Sequence, residues 1–60
     1  MYIIKQYSDS YFKDTFEVGG TIIMVNFTNV IEEAKKFDDF DEAIKVLNRI
    51  KHQDANVIEI

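Results

Sequence analysis

The chain predicts a small two-layer α+β domain: a mostly antiparallel sheet with one main helix on one face, in the order β-β-β-α-β. Three observations carry this. Two strand-like runs meet at Gly19-Gly20. One apolar stripe at helical spacing runs through Phe40, Ala43, Ile44, Leu47 and Ile50. The length of 60 residues leaves room for a single domain, 1–60, and not for two.

Tyr2 to Tyr7 is β-branched and aromatic, which favours a strand. Ser8-Asp9-Ser10 is a turn cluster, because such side chains bond to nearby backbone. Tyr11 to Val18 alternates. Phe12, Phe16 and Val18 share one face with Asp14 as the exception, and Tyr11, Lys13, Thr15 and Glu17 share the other. Gly19-Gly20 tolerates the positive φ that a tight hairpin needs. Thr21 to Phe27 returns, with Ile23, Val25 and Phe27 on one face and Ile22 and Met24 on the other. A strand apolar on both faces is usually central, or else one face meets a partner.

Thr28 or Asn29 can cap a short helical turn through Val30 to Ala34. Asp39 is a good N-cap, and Glu42 three residues later makes a variant of the capping box. Asp41 and Glu42 suit the positive end of the helix dipole, and Lys45, Arg49 and Lys51 lie toward its negative end. The helix is expected from about Phe40 to about His52. Gln53 to Asn56 reads as a loop and Val57 to Ile60 as a short final strand. The expected core is Ile4, Phe12, Phe16, Ile23, Val25, Phe27, Phe37, Phe40, Ala43, Ile44, Leu47, Ile50 and Ile58. One helix covers one sheet face, so the other face is expected to show Tyr and long polar side chains.

Composition narrows the function classes. Hydrophobic residues make up 47% and aromatics 13%, too many for a disordered chain. Without cysteine there is neither a disulfide scaffold nor a thiolate metal site. The net charge of -4 argues against direct nucleic-acid binding. The first residues lack a basic, apolar leader, and the longest apolar run, Ile22 to Val25, is far short of the ~20 residues of a membrane span. The expectation is a cytoplasmic protein without membrane contact.

No catalytic, metal or cofactor site is assigned. His52 is the single histidine, and without a second strong ligand it reads as a polar helix end. Ser8 and Ser10 flank Asp9 but sit on no strand–turn–helix elbow. Gly19-Gly20 lacks the further glycines, the lysine and the helix of a phosphate loop. Asp38, Asp39, Asp41 and Glu42 lack the glycine and the distant bidentate Glu of a calcium loop.

The acids are nevertheless unevenly placed. Residues 32–42 hold Glu32, Glu33, Asp38, Asp39, Asp41 and Glu42 against Lys35 and Lys36, so this segment carries the entire net charge of -4. It reads as a helix N-terminus with a solvated flank, or as an acidic patch for a basic protein surface. Tyr2, Tyr7 and Tyr11 cluster near the first turn and form a second candidate contact patch. A seam along the sheet or an open edge leaves a homodimer available as well.

The stretch Glu33-Ala34-Lys35-Lys36-Phe37-Asp38-Asp39-Phe40-Asp41-Glu42-Ala43 resembles a pattern in small uncharacterised proteins of Gram-positive bacteriophages and prophages. The resemblance implies a small accessory protein in an infected or lysogenic bacterium, binding a host or phage macromolecule. Some such proteins inhibit defence nucleases or host enzymes, and several are acidic mimics of nucleic acid. The matching residues carry folding logic, so no functional residue transfers. The leading expectation is a non-enzymatic binding or regulatory protein acting through a protein partner. An acidic nucleic-acid mimic and a self-assembling structural module are the alternatives.

Overall fold

The computed structural model describes residues 1–6, 9–51 and 54–60. The strands are β1 (Tyr2–Gln6), β2 (Ser10–Val18), β3 (Thr21–Thr28) and β4 (Ala55–Glu59). A 3-10 turn at Ile31–Glu33 and one helix, α1 (Phe40–Ile50), separate β3 from β4. The sheet has four strands in the order β3-β2-β1-β4, with β1–β2, β1–β4 and β2–β3 all antiparallel. The fold is the expected two-layer α+β arrangement.

Gly19 and Gly20 both take positive φ, as a two-residue hairpin turn between twisted strands requires. A Cβ at either glycine would meet nothing within 4 Å, so backbone conformation alone selects glycine there. Asp39 caps α1: its Oδ1 accepts the Asp41 N–H at 3.0 Å. The helix ends at Ile50, the last residue of the apolar stripe and two residues before the expected end at His52. Lys51 adopts φ 58 and its N–H reaches the Leu47 carbonyl, an αL stop made by a non-glycine residue. His52 and Gln53, where the helix and loop expectations met, lie outside the described residues. β4 starts at Ala55, two residues before the expected start, because Ala55 and Asn56 pair with Gln6 and Lys5 of β1.

The sheet is split. β1 and β2 pair only at Lys5–Tyr11 and Gln6–Ser10. Beyond that point residues 35–37 occupy the gap. The Lys35 N–H donates to the Phe12 carbonyl of β2 at 2.9 Å. Phe37 and Tyr2 of β1 exchange both backbone bonds, each at 2.8 Å. Phe37 is thereby set into the core, with its ring stacked on that of Phe12 at 6.5 Å between centroids.

Two bulges decide which residues face the helix. Lys13 is the extra residue between the Phe12–Phe27 and Asp14–Asn26 pairs. Ile23 is the extra residue between the Phe16–Met24 and Glu17–Ile22 pairs. A one-residue insertion reverses the side-chain alternation beyond it. Phe12 therefore points into the core, while Thr15 and Glu17, not Phe16 and Val18, continue the helix-facing row. On β3, Ile22, Val25 and Phe27 pack against the core and Met24 does not.

The buried cluster is Ile4, Phe12, Phe37, Ala43, Ile50 and Ala55, with Tyr2, Ile22, Val46, Leu47 and Val57 half-buried around it. Phe16 and Ile23 are corrections to the expected core, since both are more than half exposed. Phe40 is a third: it opens α1 at the rim, edge-on to Tyr2 at 5.6 Å. Ile3 was not expected in the core, yet it is 0% exposed. It alternates with Ile4 along β1 and so leaves the sheet on the far face, which is covered there. β3 is an edge strand, not a central one.

Phe37→Ala removes a ring stacked in the core and should cost about 3–5 kcal/mol. Phe16→Ala, at an exposed position, should stay within about 0.5 kcal/mol of the parent. Urea denaturation should show a large midpoint shift for the first and almost none for the second; the reverse ranking would contradict the two-bulge register.

Candidate interaction surface

The open surface begins with the reach of the elements. α1 packs chiefly on β1 and β4. The hairpin of β2 and β3 runs on past it. On the face turned away from the helix, Phe16 sits directly across from Met24, and Val18 follows two residues on. Phe16 and Val18 are each 57% exposed, Met24 55% and the bulged Ile23 59%. Asp14 lies opposite Asn26, whose Nδ2 donates to Asp14 Oδ1 at 2.7 Å. Four large apolar side chains thus stand in water on one hairpin, beside a single carboxylate. Scattered exposed apolar residues need no explanation, but a contiguous group suggests a binding surface. The far face carries Tyr11 and Lys5 near β1, as expected, but its hairpin end is apolar.

One clue to it was present in the sequence. Asp14 breaks the apolar row Phe12, Phe16, Val18. A shift at Lys13 removes that conflict by turning Asp14 outward, and it carries Phe16 and Val18 out with it.

The acidic segment is held on a pinned backbone. Ala34 and Phe37 are buried, while Glu32, Glu33, Asp38, Asp39, Asp41 and Glu42 are all exposed. Two of these carboxylates have local structural tasks. Asp39 caps α1, and Glu33 Oε1 accepts the Thr28 hydroxyl at 3.2 Å. Thr28 in turn accepts the Val30 N–H at 3.1 Å; the 3-10 turn is capped by Val30 with no side-chain cap bond, not by Thr28 or Asn29 as expected. Lys36 forms no ion pair with its acidic neighbours; its Nζ donates to the Glu32 and Ala34 carbonyls at 3.2 and 3.3 Å. The ion pairs among the described residues, Lys5–Asp9 and Arg49–Glu17, lie outside the segment.

Tyr2 and Tyr11 of the expected aromatic patch stand on opposite faces of the sheet. Tyr2 lies on the helix side against Phe40. Tyr11 follows the opposite alternation from Phe12 and pairs with Lys5 on the far face. Tyr7 lies outside the described residues, as does His52.

The hairpin is tied to α1 by charge. Arg49 Nη2 donates to Glu17 Oε1 at 2.8 Å, and Thr15 Oγ1 donates to Glu17 Oε2 at 3.1 Å. The Arg49 hydrogen bond, then that from Thr15, then the Arg49 charge hold the Glu17 carboxyl below its usual 4.5. No group of three His, Asp or Glu side chains that could hold a metal ion occurs among the described residues, and none of their helices is long and apolar enough to cross a membrane.

Comparison with family models, curated proteins and solved structures returns no match for this chain.

Asp39→Ala should destabilise the fold by about 0.5–2 kcal/mol through loss of the α1 cap, read as a lower melting temperature. The folded-state carboxyl of Glu17 is depressed, so its contribution is present above the unfolded value and fades as pH falls through the folded one. A carboxyl NMR titration should place the Glu17 midpoint below 4.5, and Arg49→Gln should raise it.

Proposed function

We propose that this chain is a non-enzymatic binding protein of phage origin, acting in the bacterial cytoplasm by contact with another protein. The observation that supports the reading is the apolar group Phe16, Val18, Ile23 and Met24, each more than half exposed on a hairpin that the helix does not cover. Leaving such side chains in water forgoes roughly 25 cal/mol for each Å² of apolar surface, which a partner covering them recovers. Protein interfaces place Phe and Met at their centres, with polar groups at the rim. The Asp14–Asn26 pair and Thr21 supply such a rim. The acidic segment 32–42 adds long-range steering toward a basic partner.

A second reading, an acidic mimic of nucleic acid, draws support from Glu32, Asp38, Asp41 and Glu42. Their carboxylates are exposed on a pinned backbone and have no ion pair among the described residues.

Photo-crosslinking separates these readings. Met24 and Asp41 would each be replaced by p-benzoylphenylalanine, with Asn48 on the exposed side of α1 as control. Irradiation in Gram-positive cells is expected to give a discrete adduct with one other protein from position 24 and none from position 48. An adduct from position 41 alone, with a nucleic-acid-binding protein, would favour the mimic. An adduct of the chain with itself would favour self-assembly. No adduct from position 24 would overturn the leading reading.

A further inference from the structure

The helix-facing side of the same hairpin carries a different feature. Between β2 and the second half of α1 lies an open groove of about 270 Å³. Its apolar lining includes Phe12, Ile22, Val46 and Ile50. Its charged lining is Lys13, Lys35 and Arg49 against Asp14 and Glu17. Three of the seven cations of an acidic chain therefore converge on one groove.

Their partners differ. Arg49 and Glu17 satisfy each other at 2.8 Å. Asp14 accepts from the Asn26 amide and keeps its charge, so three cations against two carboxylates leave the lining one net positive charge. Lys13 and Lys35 form no ion pair or side-chain hydrogen bond in the described structure. Backbone geometry places both lysines along the groove. Lys13 is the bulge residue of β2, and a bulge re-aims the side chain it carries. Lys35 donates its N–H to Phe12, the residue just before the bulge. Two like charges at the mouth of an apolar groove repel, and an anion placed between them reverses the sign of that interaction.

We propose that this groove binds a small single-chain amphiphile with an anionic head, such as a carboxylate, sulfate or phosphate monoester. The head sits at Lys13 and Lys35. The chain lies along Ile22, Val46 and Ile50. The volume lies just under the roughly 300–1,000 Å³ of drug-sized sites, which suits one short chain and not a two-chain lipid. Arg49 stays with Glu17 and bounds the far side. This site uses the helix-facing side of the hairpin and adjoins the protein-binding surface only at Asp14, which lines the groove and stands at the rim of that surface.

The test is an NMR titration of the full chain with octyl sulfate below its micelle concentration, beside octyl glucoside and octyltrimethylammonium. Octyl sulfate is expected to shift Ile22, Val46 and Ile50 saturably, while the cationic probe leaves them unmoved. Lys13→Gln with Lys35→Gln should weaken octyl sulfate binding about tenfold or more, because hydrogen bonds to a charged head are lost. Both lysines are exposed, so the fold should persist, and unchanged dispersion of the Phe37 and Ala43 signals checks this. Three results would overturn the proposal. One is equal binding of the neutral or cationic probe. Another is shifts confined to Phe16 and Met24. The third is capture by phosphatidylglycerol vesicles while free octyl sulfate leaves the groove signals unmoved.

Discussion

Residues 35–37 make three backbone hydrogen bonds to two different strands, and most of the architecture follows from them. The Lys35 N–H is bound to the Phe12 carbonyl of β2, and Phe37 exchanges two bonds with Tyr2 of β1. A sheet interior cannot leave such groups unpaired without a cost of about 1–3 kcal/mol each, so a chain threaded through a split sheet must pair on both sides. The split lets β1 leave β2 after two paired positions. It delivers Phe37 to the ring of Phe12 and starts α1 three residues later. It also stiffens the acidic segment at its middle, leaving carboxylates on either flank exposed. Lys35 stands beside the Lys13 bulge for the same reason.

A mismatch of lengths opens the helix-facing side of the hairpin. α1 has 11 residues and spans about 16 Å at 1.5 Å per residue. β2 has nine residues and spans about 30 Å at 3.3–3.4 Å per residue. The helix lies over β1 and β4, so the distal hairpin extends beyond its cover. On the helix side this leaves a groove that Arg49 and Glu17 bound with an ion pair. On the far side, which the helix does not cover at any length, the Lys13 bulge turns Phe16, Val18 and Met24 into water. The bulge at Ile23 also breaks the regular hydrogen-bonding row of the edge strand, a common protection against strand addition. Contact through the hairpin face, not through the edge, is the mode that this geometry favours.

Much of the fold was legible in the residues because it rests on local chemistry. The Gly19-Gly20 turn, the Asp39 cap and the start of the helical stripe each depend on groups a few residues apart, and each stands where expected. The class follows from one amphipathic helix and several strands in 60 residues. The net charge and its concentration in residues 32–42 are likewise properties of the sequence alone.

What the tertiary structure decided is the side on which each residue stands. Strand alternation has period two, so a single bulge inverts the assignment of every residue beyond it, and a bulge is chosen by distant partners. Phe16 and Ile23 are apolar and look like core, but the pairings across β2 and β3 turn them to solvent. Ile3 looks like either face of an edge and is wholly buried. The position of β3 at the edge, and the placing of Lys13 beside Lys35, depend on residues 35–37 entering a gap between strands far away in the chain. Local propensity determines which elements form; long-range backbone pairing determines which of their faces remain open to bind.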